Sequence, residues 1–251
     1  MDFEGFRPMK TLIVIPSRYG STRFPGKSLA LLCGKPLVQW VWEAARKSKK
    51  ASGVVVATDD RRIFDVVRGF GGDAVMTQIS HVSGTDRLAE VARKRKADLY
   101  VNVQGDEPLL KASTIDALIA GIGRAPMATL ALRIRDRAAY ENSNVVKVAI
   151  NKAGEALYFS RSPLPHYRGG AAEPEFWQHV GIYAYQAAAL RQFVRWKPSP
   201  LERAESLEQL RALENGMKIR VLPAKLRCHG VDTPADLTLV EKLLSAKAQG
   251  K

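Results

Sequence analysis

Short apolar runs alternate with amphipathic segments through the first half of this chain, and this alternation constrains the fold more than any other feature. The apolar runs have strand-like length and composition and lie at 11–16, 53–58, 73–77 and 99–104. Each run is followed by a segment with helical periodicity, at 37–47, 62–69, 85–96 and 113–122. Such alternation is typical of a parallel sheet with crossover helices on its faces. The sequence therefore predicts an α/β fold.

The alternation stops near Pro126. The following strand-like runs have no helix between them and lie at 127–134, 145–150 and 156–160, with a further strand after a Gly/Pro-rich loop at 179–185. This pattern predicts an antiparallel excursion over residues 126–186. The α/β pattern then returns with helices at 187–195 and 202–215, a strand at 218–224 and a final helix at 235–248. We expect a single domain over residues 9–248, because a chain of 251 residues lies at the upper edge of one core.

A net charge of +14 and a pI near 9.9 are the strongest compositional features. The densest basic runs, at 46–50 and 93–96, fall at the ends of predicted helices, where cations complement the helix dipole. Neither run is interleaved with the aromatic residues that single-strand binders use for stacking. We therefore expect no specific nucleic-acid partner, and a nucleic-acid-binding module remains an alternative. A positive field also attracts phosphorylated small molecules.

The chain contains no segment typical of a membrane span or a secretory signal. We therefore expect a cytoplasmic protein without a membrane partner. Cys33 and Cys228 lie far apart and have no neighbouring ligand residues, so they indicate neither a disulfide framework nor a zinc site.

The loop after the first strand reads SRYGSTRFPGKS and ends like a phosphate-binding P-loop. A P-loop needs four residues between its first glycine and the Gly-Lys pair, but Gly20 and Gly26 enclose five. Pro25 also lacks an N–H group that could donate a hydrogen bond to a phosphate. We reject the P-loop and keep a P-loop kinase or NTPase only as an alternative function. The loop still predicts an anion site, because its cations follow a first strand: Arg18, Arg23 and Lys27.

Two acidic residues in distant parts of the chain are candidate ligands for Mg²⁺. Asp106 follows a buried strand, where an acid is either a turn residue or a ligand for a hard cation. Asp232 precedes Thr233, which we expect to cap the final helix with Pro234 at its first position. The carboxylate of Asp232 is therefore free for another role, and we favour Asp106 and Asp232 as a metal pair.

The remaining polar candidates are less specific. The four histidines lack the spacing of metal ligands, and no motif supports covalent catalysis. The segment 202–215 is predicted as one amphipathic helix, with its leucines facing the core. The default interpretation of Glu202, Glu205 and Glu208 is a solvated face. Alternatively, these acids and Gln209 bind the hydroxyl groups of a polar substrate.

Several stretches taken together resemble one family: IPSRYGSTRFPGK, VATDD, SGTDRLAEV, VNVQGDEP, ALYFSRSPLP, HVGIYAY, SPLERAESLEQLRALENG and GVDTPADL. They closely resemble the cytidylyltransferases that activate 3-deoxy-manno-octulosonate (Kdo), the CMP-Kdo synthetases. The resemblance runs in order from about Met9 to Leu244. It implies the nucleotide-diphospho-sugar transferase fold, with a mostly parallel central sheet and an antiparallel dimerisation segment, and hence a homodimer. It also implies transfer of CMP from CTP to the anomeric hydroxyl of Kdo, with release of pyrophosphate.

The resemblance also implies roles for individual residues. The CTP triphosphate would be held by Arg18, Ser21, Arg23 and Lys27. Asp106 and Asp232 would bind Mg²⁺ and, with Arg23 and Lys27, act in catalysis. The sugar-acid pocket would be lined by Gln104, Arg161, His179, Tyr183, Glu208 and Gln209. Ser83 and Arg87 lie where the family approaches the nucleotide.

The chain departs from the family in two places. The loop between Pro165 and Trp177 is shorter than in enterobacterial relatives, which could alter access to the sugar site. Eight residues precede Met9. A sister group that uses 8-amino-Kdo has a similar basic loop, so the sequence leaves Kdo and 8-amino-Kdo as alternatives.

Overall fold

The computed structural model describes residues 9–20, 23–169, 175–225 and 230–249. Its strands are β1 (Thr11–Ser17), β2 (Leu31–Leu32), β3 (Lys35–Pro36), β4 (Gly53–Thr58), β5 (Asp73–Met76), β6 (Leu99–Asn102), β7 (Met127–Arg133), β8 (Lys147–Ile150), β9 (Ala156–Ser160), β10 (Trp177–Gln186) and β11 (Ile219–Pro223). Its α-helices are α1 (Leu37–Arg46), α2 (Arg61–Gly69), α3 (Gly84–Lys94), α4 (Ala112–Gly121), α5 (Arg137–Glu141), α6 (Ala187–Phe193), α7 (Pro200–Glu205), α8 (Leu210–Glu214) and α9 (Pro234–Gln249). A short 3₁₀ helix covers Lys27–Leu29.

Nine of the described strands form one sheet, with the order β11-β7-β10-β6-β1-β4-β5; β8 pairs with β10, and β9 pairs with β8. The pairs of β1 with β4, β1 with β6 and β4 with β5 are parallel. Strand β10 is antiparallel to both β6 and β7, while β11 is parallel to β7. The mostly parallel sheet with an antiparallel part confirms the predicted fold class. The excursion is continuous with the main sheet, because β10 lies between β6 and β7.

The first strand explains why the sheet is covered on both faces. Ile13 and Ile15 belong to the core cluster that includes residues of α1 and α4, whereas Val14 belongs to the cluster on the opposite face, which includes residues of α3 and α6. All three side chains are fully buried. Side chains of a strand alternate between faces, so a continuous apolar run is what a strand buried on both sides requires. This arrangement leaves the carboxyl ends of β1, β4 and β6 along one edge, where loops build the site.

The predicted helix at 202–215 is wrong in one respect, because the structure divides it into α7 and α8. Ser206 has a φ of 53°, which ends α7. Leu207 and Gln209 are both buried, although residues two apart do not share a face of a helix. A break is therefore needed to bury both side chains.

The expectation of no helix between the strands at 127–134 and 145–150 is also wrong, because α5 lies there. Asp136 caps this helix by accepting a hydrogen bond from the backbone N–H of Ala139 at 2.7 Å. An aspartate at this position is a strong helix-start signal. Among the described residues, no helix combines the length and apolar character needed to cross a bilayer.

Candidate active site

The basic loop after β1 folds back on itself before it presents Lys27. Gly26 has a φ of 69°, and its N–H donates to the carbonyl of Tyr19 at 2.9 Å. A Cβ at Gly26 would lie 2.9 Å from the Tyr19 ring, so glycine suits both the backbone and the contact. Only a 3₁₀ helix of three residues follows, and α1 begins at Leu37. This geometry differs from the P-loop, in which a helix starts at the lysine.

Asp106 and Asp232 come from distant segments that a backbone hydrogen bond holds together. The N–H of Val231 donates to the carbonyl of Asp106 at 2.8 Å. Gly105 allows the Asp106 loop to approach β1, because a Cβ there would lie 2.6 Å from the hydroxyl of Ser17. The loop after β6 therefore packs on both β1 and the segment that precedes α9.

The start of α9 fixes the second carboxylate as the sequence predicts. The hydroxyl of Thr233 accepts from the N–H of Asp236 at 3.2 Å, and the Asp236 carboxylate accepts from the N–H of Thr233 at 2.8 Å. Asp236 also accepts from the N–H of Asp232 at 3.1 Å. These bonds confirm the capping interpretation and leave the Asp232 carboxylate directed to other partners.

Lys27 bridges the two predicted metal ligands. Its Nζ donates to Asp106 Oδ2 at 2.6 Å and to Asp232 Oδ1 at 2.8 Å. Arg23 donates to the other oxygen of Asp232 at 2.8 Å. Burial lowers the pKa of Lys27, but the two carboxylates outweigh burial, so its pKa is raised. One cation thus already occupies the position between both carboxylates.

A cavity of about 350 Å³ surrounds this ion-pair cluster. The predicted site residues on its wall are Arg18, Arg23, Lys27, Ser83, Arg87, Gln104, Asp106 and Asp232. The structure therefore places Gln104 with the nucleotide candidates, although the resemblance implies a sugar contact. Ser21 lies outside the described residues.

The carboxylates fit a divalent cation that completes its coordination with ligands from elsewhere. The Lys27 ammonium shows that one positive group can contact Asp106 and Asp232 at once. Within the described residues, no group of three or more His, Cys, Asp or Glu could hold a metal ion. Mg²⁺ binds through one or two carboxylates together with phosphate oxygens and water. The two carboxylates therefore fit a Mg²⁺ ion whose remaining ligands come from outside the protein.

Ser83 and Arg87 have structural partners on the same wall. The Ser83 hydroxyl caps α3 by accepting from the N–H of Asp86 at 3.0 Å. Arg87 is 3% exposed and donates to Asp59 at 2.8 Å and to Thr77 at 2.5 Å. Arg87 thus joins the ends of β4 and β5 at the wall of the cavity.

Sequence reasoning missed a buried cluster behind this wall. His81 lines the cavity, and its Nε2 lies 2.6 Å from Glu90 Oε2. Glu90 also accepts from Lys94 at 2.6 Å and from the N–H of Gln78 at 2.9 Å. Burial raises the pKa of Glu90, but the bonds from Lys94, Gln78 and His81 lower it to about 2. The i,i+4 spacing of Glu90 and Lys94 was the available signal.

This cluster gives a stability prediction. Glu90→Gln keeps the shape of the side chain and removes its charge, so we expect a loss of about 1–3 kcal/mol in the free energy of unfolding at pH 7. The pKa of Glu90 is about 2 in the folded protein, below the 4.5 of an unperturbed glutamate. The stabilisation is therefore complete above pH 4.5 and disappears as the pH falls towards 2. Urea unfolding of the wild-type and Glu90→Gln proteins between pH 7 and pH 3 measures this. A difference in their free energies of unfolding that stays the same as the pH falls would contradict the prediction.

Two sugar-site candidates lie on β10. Nε2 of His179 is 3.1 Å from the hydroxyl of Thr129. The centroid of the His179 ring lies 5.2 Å from that of Phe159 and 5.3 Å from that of Tyr183. Burial lowers the pKa of His179 to about 3, so the ring is neutral at neutral pH. Burial also raises the pKa of Tyr183, which therefore keeps its hydroxyl proton.

The break between α7 and α8 brings two further sugar candidates inward. Glu208 accepts a hydrogen bond from Thr85 at 2.5 Å, and burial raises its pKa. Nε2 of Gln209 is buried and has no hydrogen-bond partner among the described residues. An orphaned buried donor is costly unless a ligand or water satisfies it. The buried Nε2 of Gln209 is therefore available to donate to a polar ligand or a water molecule.

The default interpretation of the acids at 202–208 as a solvated face is wrong. Glu202 pairs with buried Arg211 at 2.5 Å. Glu205 accepts from the hydroxyl of Ser160 at 2.6 Å and from the N–H of Arg161 at 2.9 Å. The divided helix turns these carboxylates towards the β8–β9 hairpin and the core, so they are structural ion-pair and hydrogen-bond partners.

Comparisons with known proteins identify the family of this chain. The model of the family described as Cytidylyltransferase matches residues 12–219. The 3-deoxy-manno-octulosonate cytidylyltransferase of Geobacter metallireducens is 49% identical, over 94% of this chain and 98% of its own. The enzyme of the same name from Pseudomonas fluorescens is 52% identical, over 93% of this chain and 98% of its own.

The chain belongs to the 3-deoxy-manno-octulosonate cytidylyltransferase family. The resemblance read from the sequence motifs is thereby confirmed. A solved structure of CMP:2-keto-3-deoxy-manno-octonic acid synthetase complexed with CTP is 44% identical, with a TM-score of 0.91 over 95% of this chain and 99% of that chain. A cytidylyltransferase from Leptospira borgpetersenii is 18% identical with a TM-score of 0.64, which supports the cytidylyltransferase fold alone.

Proposed function

We propose that this protein transfers CMP from CTP to the anomeric hydroxyl of Kdo. The hydroxyl oxygen attacks the α-phosphorus of CTP, the bond to the β-phosphate oxygen breaks, and pyrophosphate leaves. The observation that carries this proposal is the joining of Lys27, Asp106 and Asp232 at the end of β1, in a chain 44% identical to a CMP-Kdo synthetase complexed with CTP. This transfer activates the sugar for lipopolysaccharide synthesis.

Asp106 and Asp232 would hold Mg²⁺ between the protein and the triphosphate. The bound ion would supply positive charge at the phosphoryl oxygens and lower the pKa of a coordinated hydroxyl. No side chain needs to act as a dedicated base, since Asp232 or solvent can take the proton of the sugar hydroxyl. The two carboxylates must first release Lys27, because its ammonium now contacts both of them.

The basic residues would bind and stabilise the polyphosphate. Lys27 would move from the carboxylates to the phosphate oxygens when CTP enters. Arg18 is exposed on the cavity wall, and the Arg23 side chain is 65% exposed, so both can reach a ligand. Negative charge grows on the phosphoryl oxygens and the leaving group during transfer, and fixed cations stabilise it most in that state. Ser21 stays a prediction based on the family resemblance.

The sugar acid would lie near β10 and the break between α7 and α8. Arg161 would pair with the sugar carboxylate, because its guanidinium donates to the backbone carbonyls of Ser143 and Glu205 and forms no ion pair within the described parts of the chain. His179, Tyr183, Glu208 and Gln209 would bind the hydroxyl groups. Gln104 would lie between the sugar and the nucleotide. Relatives named for Kdo favour this sugar over 8-amino-Kdo.

We also propose that the protein forms a homodimer through residues 126–186. We place it in the cytoplasm, where CTP is made. The support for the dimer is the family resemblance and the β8–β9 hairpin, which lies beside the central sheet. Light scattering tests it: a mass near 55 kDa is expected from two chains of 27.7 kDa, and a monomer would contradict it.

Pyrophosphate release tests the function and its rivals together. Each of the four ribonucleoside triphosphates is combined with Kdo or 8-amino-Kdo, with and without Mg²⁺. We expect release with CTP and Kdo when Mg²⁺ is present. Release with another nucleotide, or with 8-amino-Kdo alone, would contradict the assigned substrates. Phosphate release from ATP without sugar would favour an NTPase, and salt-dependent RNA or DNA binding without turnover would favour a nucleic-acid-binding module.

A further inference from the structure

A lysine outside the predicted site is completely buried at the start of β8. Lys147 has 0% exposure. Its Nζ donates to the carbonyls of Asn142 at 2.9 Å, Val145 at 2.6 Å and Arg161 at 2.5 Å. An ammonium group has three donors, and these carbonyls use all of them. A buried charge is costly to desolvate, and this complete set of partners offsets that cost.

The three carbonyls belong to the segments that hold Arg161. One is the carbonyl of Arg161 itself, and the other two lie in the turn at 142–145. The same turn contains Ser143, whose carbonyl accepts from the Arg161 guanidinium at 3.3 Å. On the other side, the carbonyl of Glu205 accepts from Arg161 Nε at 2.8 Å. Lys147 therefore ties the backbone of Arg161 to the turn that receives its side chain.

We propose that Lys147 is a positioning residue that sets the place of the Arg161 guanidinium for the sugar acid. This inference rests on the proposed contact of Arg161 with the sugar carboxylate. Lys147 has no access to solvent, so it acts on the substrate through Arg161 and not by direct contact. The proposed nucleotide cavity is lined by other segments, so we expect CTP binding to be independent of this cluster.

Steady-state kinetics of Lys147→Met test the proposal. Methionine retains an unbranched apolar chain and removes the charged donor. We expect the KM for Kdo to rise about 10- to 100-fold, since small displacements of a binding group have effects of this size. The KM for CTP should stay within about twofold. Lys152→Met is the matched control, because Lys152 is exposed in the turn of the same hairpin, and it should leave both constants unchanged.

A double-mutant cycle with Arg161→Met separates positioning from general destabilisation. If Lys147 acts through Arg161, adding Lys147→Met to Arg161→Met changes the KM for Kdo little further. Independent, multiplicative effects would overturn the proposal, as would equal rises in KM for Kdo and CTP. Lys147→Gln, which keeps a donor, provides the same test with an intermediate expected effect if the methionine variant does not fold.

The cycle also distinguishes this inference from the function on which it rests. If Arg161→Met raises the KM for Kdo and the Lys147 variants do not, the positioning role alone is overturned. If Arg161→Met leaves the KM for Kdo unchanged, the sugar contact itself is wrong, and the inference falls with it. In either case, pyrophosphate release by the wild-type protein with CTP and Kdo would still support the proposed function.

Discussion

Replacing Asp106 by asparagine is expected to lower turnover about 10²- to 10⁴-fold while the protein remains folded. Asparagine has nearly the same shape, but it removes one of the two negative charges that Lys27 now bridges and that would hold Mg²⁺. The transferring phosphoryl group would then lose the charge stabilisation that the metal supplies. The measurement is pyrophosphate release with CTP and Kdo at saturating Mg²⁺, with thermal unfolding as the check on the fold.

The control for this variant is Asp65→Asn. Asp65 is an exposed partner of Arg61 on α2, so its replacement removes the same charge away from the site and should leave turnover unchanged. Asp232→Asn should resemble Asp106→Asn, because both carboxylates contact the same ammonium. An Asp106→Asn protein that keeps most of its activity with Mg²⁺ would remove Asp106 from the metal site.

Replacing Lys27 by methionine is expected to have two opposite effects. The value of kcat/KM for CTP should fall about 10²- to 10³-fold, because a cation that stabilises the leaving pyrophosphate is lost. In the absence of CTP, the affinity for Mn²⁺ should rise, since Asp106 and Asp232 lose the ammonium that contacts them at 2.6 and 2.8 Å. Kinetics measure the first effect, and titration of free Mn²⁺ by electron paramagnetic resonance measures the second.

Lys50→Met is the matched control, because Lys50 is exposed at the end of the first crossover segment and should affect neither measurement. Unchanged kcat/KM in the Lys27 variant would contradict its role at the triphosphate. Weaker or unchanged Mn²⁺ binding without CTP would show that Lys27 does not compete with the metal for the two carboxylates.

The sequence predicted the order of strands and helices well where periodicity and burial agree. The strands at 53–58 and 156–160 have the predicted bounds, and α9 begins at Pro234 as its capping signal indicates. The prediction failed where tertiary contacts override periodicity. Leucine spacing favours one helix at 202–215, but burial of both Leu207 and Gln209 requires the break at Ser206. The spacing of residues along the chain does not show that both side chains must be buried.

The candidate site was predictable in its residue types and less so in its contacts. Asp106 and Asp232 stand out because each follows or precedes a recognisable element. That Lys27 joins them was not predictable, since it lies 79 and 205 residues away and depends on the packing of three loops. The i,i+4 spacing indicates only Lys94 as a partner of Glu90. The other partners of Glu90 and the burial of Lys147 are set by tertiary structure, because a buried charge looks in sequence like any other lysine or glutamate.

A crystal structure with CTP and Mn²⁺ tests the central claim most directly, since the anomalous signal of manganese locates the metal. The account predicts a metal peak about 2.0–2.3 Å from carboxylate oxygens of both Asp106 and Asp232, with Lys27 moved onto the triphosphate. A metal bound away from both carboxylates, with Lys27 still between them while CTP occupies the cavity, would contradict it.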